Sequence, residues 1–150
     1  MPYIKTMLIV SRSMDYPELL DKLKGKRVAI WTCNTCARLC NNIGGTESSE
    51  RLAKRLRDDG AEVLGVVPTS AACLEKKVID KKDEILSGDP DLVLSMTCCA
   101  GDANAKKVFG KETINPIVTH GFGILTENGT PVLMDGTPVG SLTDRSSPFM

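Results

Sequence analysis

Apolar residues along this chain come in two rhythms. Short, nearly unbroken runs stand at Val28-Ala29-Ile30-Trp31, at residues 63–67 and at residues 92–96. Between them, apolar positions recur every three or four residues. The first rhythm suits strands buried on both faces, the second suits helices that bury one face. A first helix starts at Asp15-Tyr16-Pro17-Glu18, with a capping Asp, a Pro in the first turn and an acid three residues on. Leu19, Leu20 and Leu23 form its apolar face, and Gly25 ends it. The first strand is expected over residues 26–32. A helix over residues 46–59 points Leu52, Ala53 and Leu56 inward and carries Glu47–Arg51 and Glu50–Lys54 pairs in the favourable order. Gly60 stops it. A second strand over residues 62–67 ends at Pro68. Leu74, Val78 and Ile85 mark one crossover helix, closed by Gly88-Asp89-Pro90. A third strand (91–96), a short helix (102–109) and a short fourth strand (117–119) follow.

Strands alternate with helices at βαβ spacing, which makes the strands parallel. The expected fold is α/β, a small doubly wound, mostly parallel sheet of about four strands with flanking helices. Residues 121–150 differ. Asn128-Gly129 and Asp135-Gly136 are turn signals between short apolar pieces, so this segment reads as a hairpin or an extended tail. Residues 1–140 are expected to form a single metal-binding domain. The Ser/Thr/Pro-rich end, residues 141–150, reads as a flexible tail or one that docks on a partner.

Composition narrows the function. The 150 residues carry 19 basic and 19 acidic side chains and six aromatics, with no basic stripe, which argues against nucleic acid as a partner. The early apolar run at residues 7–10 is too short for a signal segment or a membrane span. The expected setting is cytoplasmic. In that reducing environment closely spaced cysteines favour metal or redox chemistry over structural disulfides.

Six cysteines lie in three clumps, each just after an expected strand: Cys33, Cys36 and Cys40, then Cys73, then Cys98 and Cys99. Strand carboxyl ends share one edge of a parallel sheet, so three distant stretches would bring thiols to one place. Cys33-Asn34-Thr35-Cys36-Ala37-Arg38-Leu39-Cys40 is a C-x2-C-x3-C run. The x2 spacing lets two thiolates grip one ion. Three close cysteines are one short of a tetrahedral site or a cubane, so a fourth ligand must come from Cys73, Cys98, Cys99 or His120, the only histidine. A 4Fe–4S cluster stands slightly ahead of zinc. Arg38 and the helix start after residues 41–45 would favour thiolates. His120, in Thr119-His120-Gly121-Phe122-Gly123, is expected on the same edge, after the fourth strand. Gly44-Gly45 before a helix could bind an anion, but turning the chain around the metal is the favoured role.

Blander readings compete. A single buried Cys is most often a small apolar residue, so mere packing competes with ligation at Cys73. A thioredoxin-like pair would leave Cys40 surplus. A lone His is more often hydrogen-bonded than ligating. Cys98 and Cys99 cannot both point one way in extended chain. The Lys76-Lys77 and Lys81-Lys82 pairs read as a solvated helix face.

Residues 7–12, Met-Leu-Ile-Val-Ser-Arg, and residues 27–45, which hold the cysteine run and Gly44-Gly45, carry a family likeness. So do Ala72-Cys73-Leu74-Glu75 and Leu94-Ser95-Met96-Thr97-Cys98-Cys99-Ala100-Gly101. Together they resemble the MetV-like small cysteine-rich subunit, or C-terminal domain, of acetogen-type methylenetetrahydrofolate reductase. The likeness covers roughly residues 7–123 and fades at residues 119–123. It implies a metal- or iron–sulfur-binding accessory subunit of a methylenetetrahydrofolate reductase-like or related one-carbon, methyl-transfer system. That subunit supports electron transfer to, or assembly with, a flavin-containing catalytic partner. It also implies metal-site roles for Cys33, Cys36, Cys40, Cys73 and Cys98. Asn34 and Cys99 stand where family sequences usually have Gly. Longer members continue into a further cysteine-rich stretch, whereas residues 130–150 hold no cysteine. The alternatives are a zinc-thiolate protein with a methyl-transfer or hydrolytic role, or a purely structural zinc module. No H-E-x-x-H helix, G-x-S-x-G elbow or Walker loop is present, so the expected role is a non-catalytic subunit of an oxidoreductase complex.

Overall fold

The computed structural model describes residues 6–149. Its elements are β1 (Thr6–Arg12), α1 (Tyr16–Leu23), β2 (Arg27–Cys33), α2 (Cys36–Leu39), α3 (Thr46–Asp58), β3 (Glu62–Thr69) and α4 (Glu75–Ile79). Then come α5 (Lys82–Leu86), β4 (Leu92–Met96), α6 (Cys99–Phe109), β5 (Glu112–Ile114), β6 (Ile117–Leu125), β7 (Pro131–Leu133) and a 3-10 turn at Val139–Ser141. A parallel sheet has the order β3-β2-β4-β5, and an antiparallel sheet the order β1-β6-β7. The α/β architecture with a four-stranded parallel sheet is as the hydrophobic rhythm requires.

Strand periodicity divides the core in two. Val28 and Ile30 of β2, with Leu92 and Leu94 of β4, pack with Leu52, Ala53 and Leu56 of α3 and with Leu19 and Leu23 of α1. The same layer includes Ile9 and Val10, so the antiparallel sheet closes this side. Ala29 and Trp31 point the other way, onto Val78 of α4, Ile85 of α5 and Ala105 and Phe109 of α6. Trp31 is fully buried and meets Phe109 edge-on, with ring centroids 5.2 Å apart. Helices on both faces make the sheet doubly wound.

The structure departs from the sequence reading in particular places. The fourth parallel strand is β5, not residues 117–119; those residues open β6, which pairs antiparallel with β1. At three residues, β5 is too short to show a period, and the threonine, histidine and glycines of β6 blur its own. Pro68 lies inside β3 rather than ending it. An edge strand tolerates the missing N–H, and β3 pairs only with β2. The single crossover helix is two short ones, α4 and α5, with the break beside Lys81. Lys77 and Lys81 are like charges four residues apart, which opposes a continuous helix. The last helix starts at Cys99 instead of residue 102.

The C-terminal hairpin forms: Asn128-Gly129 lies in the β6–β7 connection, where the Thr126 N–H donates to Thr130 O and Gly129 has φ 78°. The Asp135-Gly136 turn follows, and the Leu133 N–H donates to Thr137 O. The segment beyond it returns to the body. The Arg12 N–H donates to Arg145 O at 2.8 Å, Asn41 Nδ2 to Ser146 O at 3.0 Å, and Arg145 pairs with Asp15.

Where α1 meets the end of α3, the Tyr16 hydroxyl donates to the Asp59 carboxylate and the Arg55 guanidinium lies 3.6 Å over its ring. Burial first, then the Asp59 hydrogen bond and charge, push the phenol up to about 12, with Asp58 adding and Arg55 opposing. A pKa raised on folding gives stability that is complete below the unfolded value, about 10, and is lost as pH climbs toward the folded one. Urea midpoints should therefore fall more steeply between pH 10 and about 12 for the wild type than for Tyr16→Phe. Equal slopes would remove Tyr16 from the alkaline transition.

Candidate metal centre

The chain leaves β2 for β3 in one direction across the sheet and β4 for β5 in the other. The strand order therefore reverses between β2 and β4, and such a switch point is where open α/β sheets leave a crevice at their carboxyl edge. Cys33 is the last residue of β2, and Cys98 stands two residues beyond β4 as the N-cap of α6. Thr32 and Met96 are register partners, so the two strands deliver these cysteines side by side. The turn into α2 brings Cys36 as its first residue and Cys40 as its C-cap.

The antiparallel sheet supplies hydrogen bonds to the sulfurs. β1 is the outer strand of its sheet, so alternate amides face away from β6. The Leu8 N–H donates to Cys36 Sγ and the Val10 N–H to Cys40 Sγ, both at 3.4 Å. The Cys40 thiol donates to Leu8 O at 3.6 Å. Cys36 interacts electrostatically with both Cys40 and Cys98, and Cys33 with Cys98. Cys33, Cys36, Cys40 and Cys98 thus form one group of thiols, with Cys36 at its hub. Among the described residues, however, no three His, Cys, Asp or Glu side chains are gathered into a set able to hold a metal ion as they stand. The donor set fits a thiophilic metal in kind; its atoms are not drawn together to ligand spacing.

Burial sets the protonation state. It pushes the Cys40 thiol up to about 11; the Val10 amide pulls the other way and Cys36 adds to the rise. Cys98 is also raised, again mainly by burial, with the Gly101 and Ala100 amides opposing and Cys36 and Cys33 adding. Both therefore stay neutral thiols near pH 7 without a metal. A metal would have to displace their protons, which ties its binding to pH.

The other candidates lie elsewhere. Cys73 is exposed in the loop after β3, where its carbonyl accepts from Asn104 Nδ2 at 3.0 Å. Cys99 is exposed on the first turn of α6, its N–H donating to Thr119 Oγ1 at 2.9 Å. His120 does not follow a parallel strand as expected. It is the extra residue of a β-bulge in β6, since Val10 pairs with Thr119 but Ile9 with Gly121. Its Nε2 lies 2.7 Å from the hydroxyl of the buried Ser11.

Gly44 and Gly45 turn the chain. The Gly44 N–H donates to Ala37 O, the Gly45 N–H to Thr32 Oγ1 and the Thr46 N–H to Asn34 Oδ1. These three amides are satisfied internally, so they offer nothing to an outside anion. A Cβ on Gly44 would sit 2.7 Å from Ala37 Cβ and 2.8 Å from Met96 O. Gly44→Ala should therefore force α2 away from the end of β4 and cost about 1–3 kcal/mol. An unchanged urea midpoint would show that the loop has room to move.

Two contributors were missed by the sequence reading: the amides of Leu8 and Val10, because residues 7–10 were not read as a strand. The signal was the apolar run itself. No protein-family model, no curated protein and no solved structure matches this chain.

Proposed function

We propose that this chain is a thiolate metal module in which Cys33, Cys36, Cys40 and Cys98 hold one centre, a 4Fe–4S cluster ahead of zinc. The observation that supports the reading is the delivery of four cysteines to the neighbourhood of the switch point, two of their sulfurs accepting backbone N–H bonds from β1. Such N–H···S bonds are among the ways a protein tunes a cluster's potential. A bound cluster would supply one-electron chemistry; the chain's part is to hold it, shield it and donate hydrogen bonds to its sulfur ligands. Cys33, Cys40 and Cys98 are each at most 5% exposed. That burial suits a closed electron-transfer or structural centre better than an open zinc site for hydrolysis or methyl transfer.

The biological setting we propose is the one the cysteine segments resemble: an accessory subunit of a methylenetetrahydrofolate reductase-like or related one-carbon system, working beside a flavin-containing partner. Among the described residues no helix is long and apolar enough to cross a membrane.

The test is purification without oxygen, with iron, acid-labile sulfide and zinc measured per chain. About four iron and four sulfide, with broad absorption near ~400 nm, is the expected result. One zinc per colourless chain would replace the electron-transfer role with a structural one. Neither metal at stoichiometry would remove the metal reading.

A further inference from the structure

A second feature shares the carboxyl edge of the parallel sheet. A crevice of about 280 Å³ opens beside the ends of β2 and β3, lined by Asn34, Thr69, Ser70, Lys77, Asp80 and Lys81. Asn34 directly follows Cys33, so the crevice and the thiol group flank the same loop. Its floor is held in place: the Asn34 N–H donates to Thr69 O at 2.9 Å, and the Asn34 carboxamide is fixed on Thr46. The Thr35 hydroxyl donates to Ser70 O.

Charge sets the kind of ligand. Lys77 of α4 and Lys81, in the break between α4 and α5, both line the crevice. Among the described residues that line the crevice, Asp80 is the one carboxylate. Among the described residues no ion pair engages Lys77 or Asp80, and Lys81 has only a 3.5 Å contact with Glu84. Lysine ammoniums act as point charges that suit phosphate, whereas planar carboxylates favour arginine forks. Thr69 and Ser70, whose hydroxyls are hydrogen-bond donors, also line the crevice.

We infer that this crevice binds a phosphate-bearing small molecule, presented next to the cysteine loop through Lys77 and Lys81. The inference stands on the crevice and does not depend on which metal, if any, the thiols hold.

Inorganic pyrophosphate titrated into the full chain at low ionic strength, followed by amide NMR shifts, tests it. The expected result is saturable shifts centred on Asn34, Ser70 and residues 77–81. Lys77→Ala/Lys81→Ala should weaken binding about tenfold or more, a loss of ~1.4 kcal/mol. Asp80→Asn should tighten it by removing the repelling carboxylate that lines the crevice, and Lys54→Ala on α3 should leave it unchanged. Metal content measured before and after each titration separates anion binding from metal stripping by the probe. Absence of saturable shifts would overturn the inference. So would equal weakening by Lys54→Ala, since binding would then be general surface electrostatics. Loss of metal with anion binding intact would count against the thiol centre alone.

Discussion

On the proposed thiolate centre, replacing Cys36 or Cys98 with alanine should abolish metal binding, while the same change at Cys73 or Cys99 should leave it intact. Cys36 is the residue that interacts with both Cys40 and Cys98, and Cys98 is where the second central strand joins the group. Even residues one shell removed from a metal typically cost 10–100-fold in affinity. Loss of a ligand should exceed that lower bound, so metal per chain should fall by more than about tenfold. Cys73 and Cys99 are exposed, and neither is among the groups that shift Cys40 or Cys98. His120→Ala should also keep the metal, because the imidazole is engaged with Ser11. Alanine suits Cys98 better than serine, since a buried hydroxyl would add its own desolvation cost. Circular dichroism on each variant separates lost ligation from lost fold. Metal loss in Cys73→Ala with retention in Cys98→Ala would reverse the assignment.

Trp31→Ala should be among the most destabilising single changes in the chain, about 3–5 kcal/mol. Trp31 has no exposed surface, lies in β2 between both neighbouring strands, and packs edge-on against Phe109. Its removal empties the layer between the sheet and α4, α5 and α6, and loosens the strand that ends in Cys33. The urea midpoint measures the loss. Trp31→Phe should cost far less. The indole Nε1 is buried without a hydrogen-bond partner among the described residues, and phenylalanine removes that unpaired donor with part of the volume. If Trp31→Phe costs as much as Trp31→Ala, shape alone governs the site and the orphan N–H is not a liability.

The parts legible in the sequence were those with local causes. Val28 to Trp31 is apolar on every residue, so β2 had to be a strand covered on both faces, and the structure covers it on both. Leu52, Ala53 and Leu56 recur at helical spacing and face inward on α3. Asn128-Gly129 marked its turn because Gly accepts positive φ. The close run of Cys33, Cys36 and Cys40 was likewise visible as a ligand pattern.

Other features depended on pairings across long stretches of chain. Both β3 and β4 flank β2, but Cys98 stands two residues past β4 as the N-cap of α6, whereas Cys73 stands four residues past the edge strand β3, in solvent. Lone residues carry no record of which strands become neighbours. The role of residues 7–10 was hidden for the same reason: β1 forms only by pairing with β6, more than a hundred residues away, and its free amides then reach Cys36 and Cys40. His120 changed sheet with that pairing, and the bulge rather than its neighbours set its contact with Ser11. By itself the sequence determined the segments whose burial pattern is local, such as β2 and α3, and the close spacing of Cys33, Cys36 and Cys40, because burial and spacing are properties of a few adjacent positions. Which thiols meet, and which backbone amides reach them, was decided by non-local strand pairing.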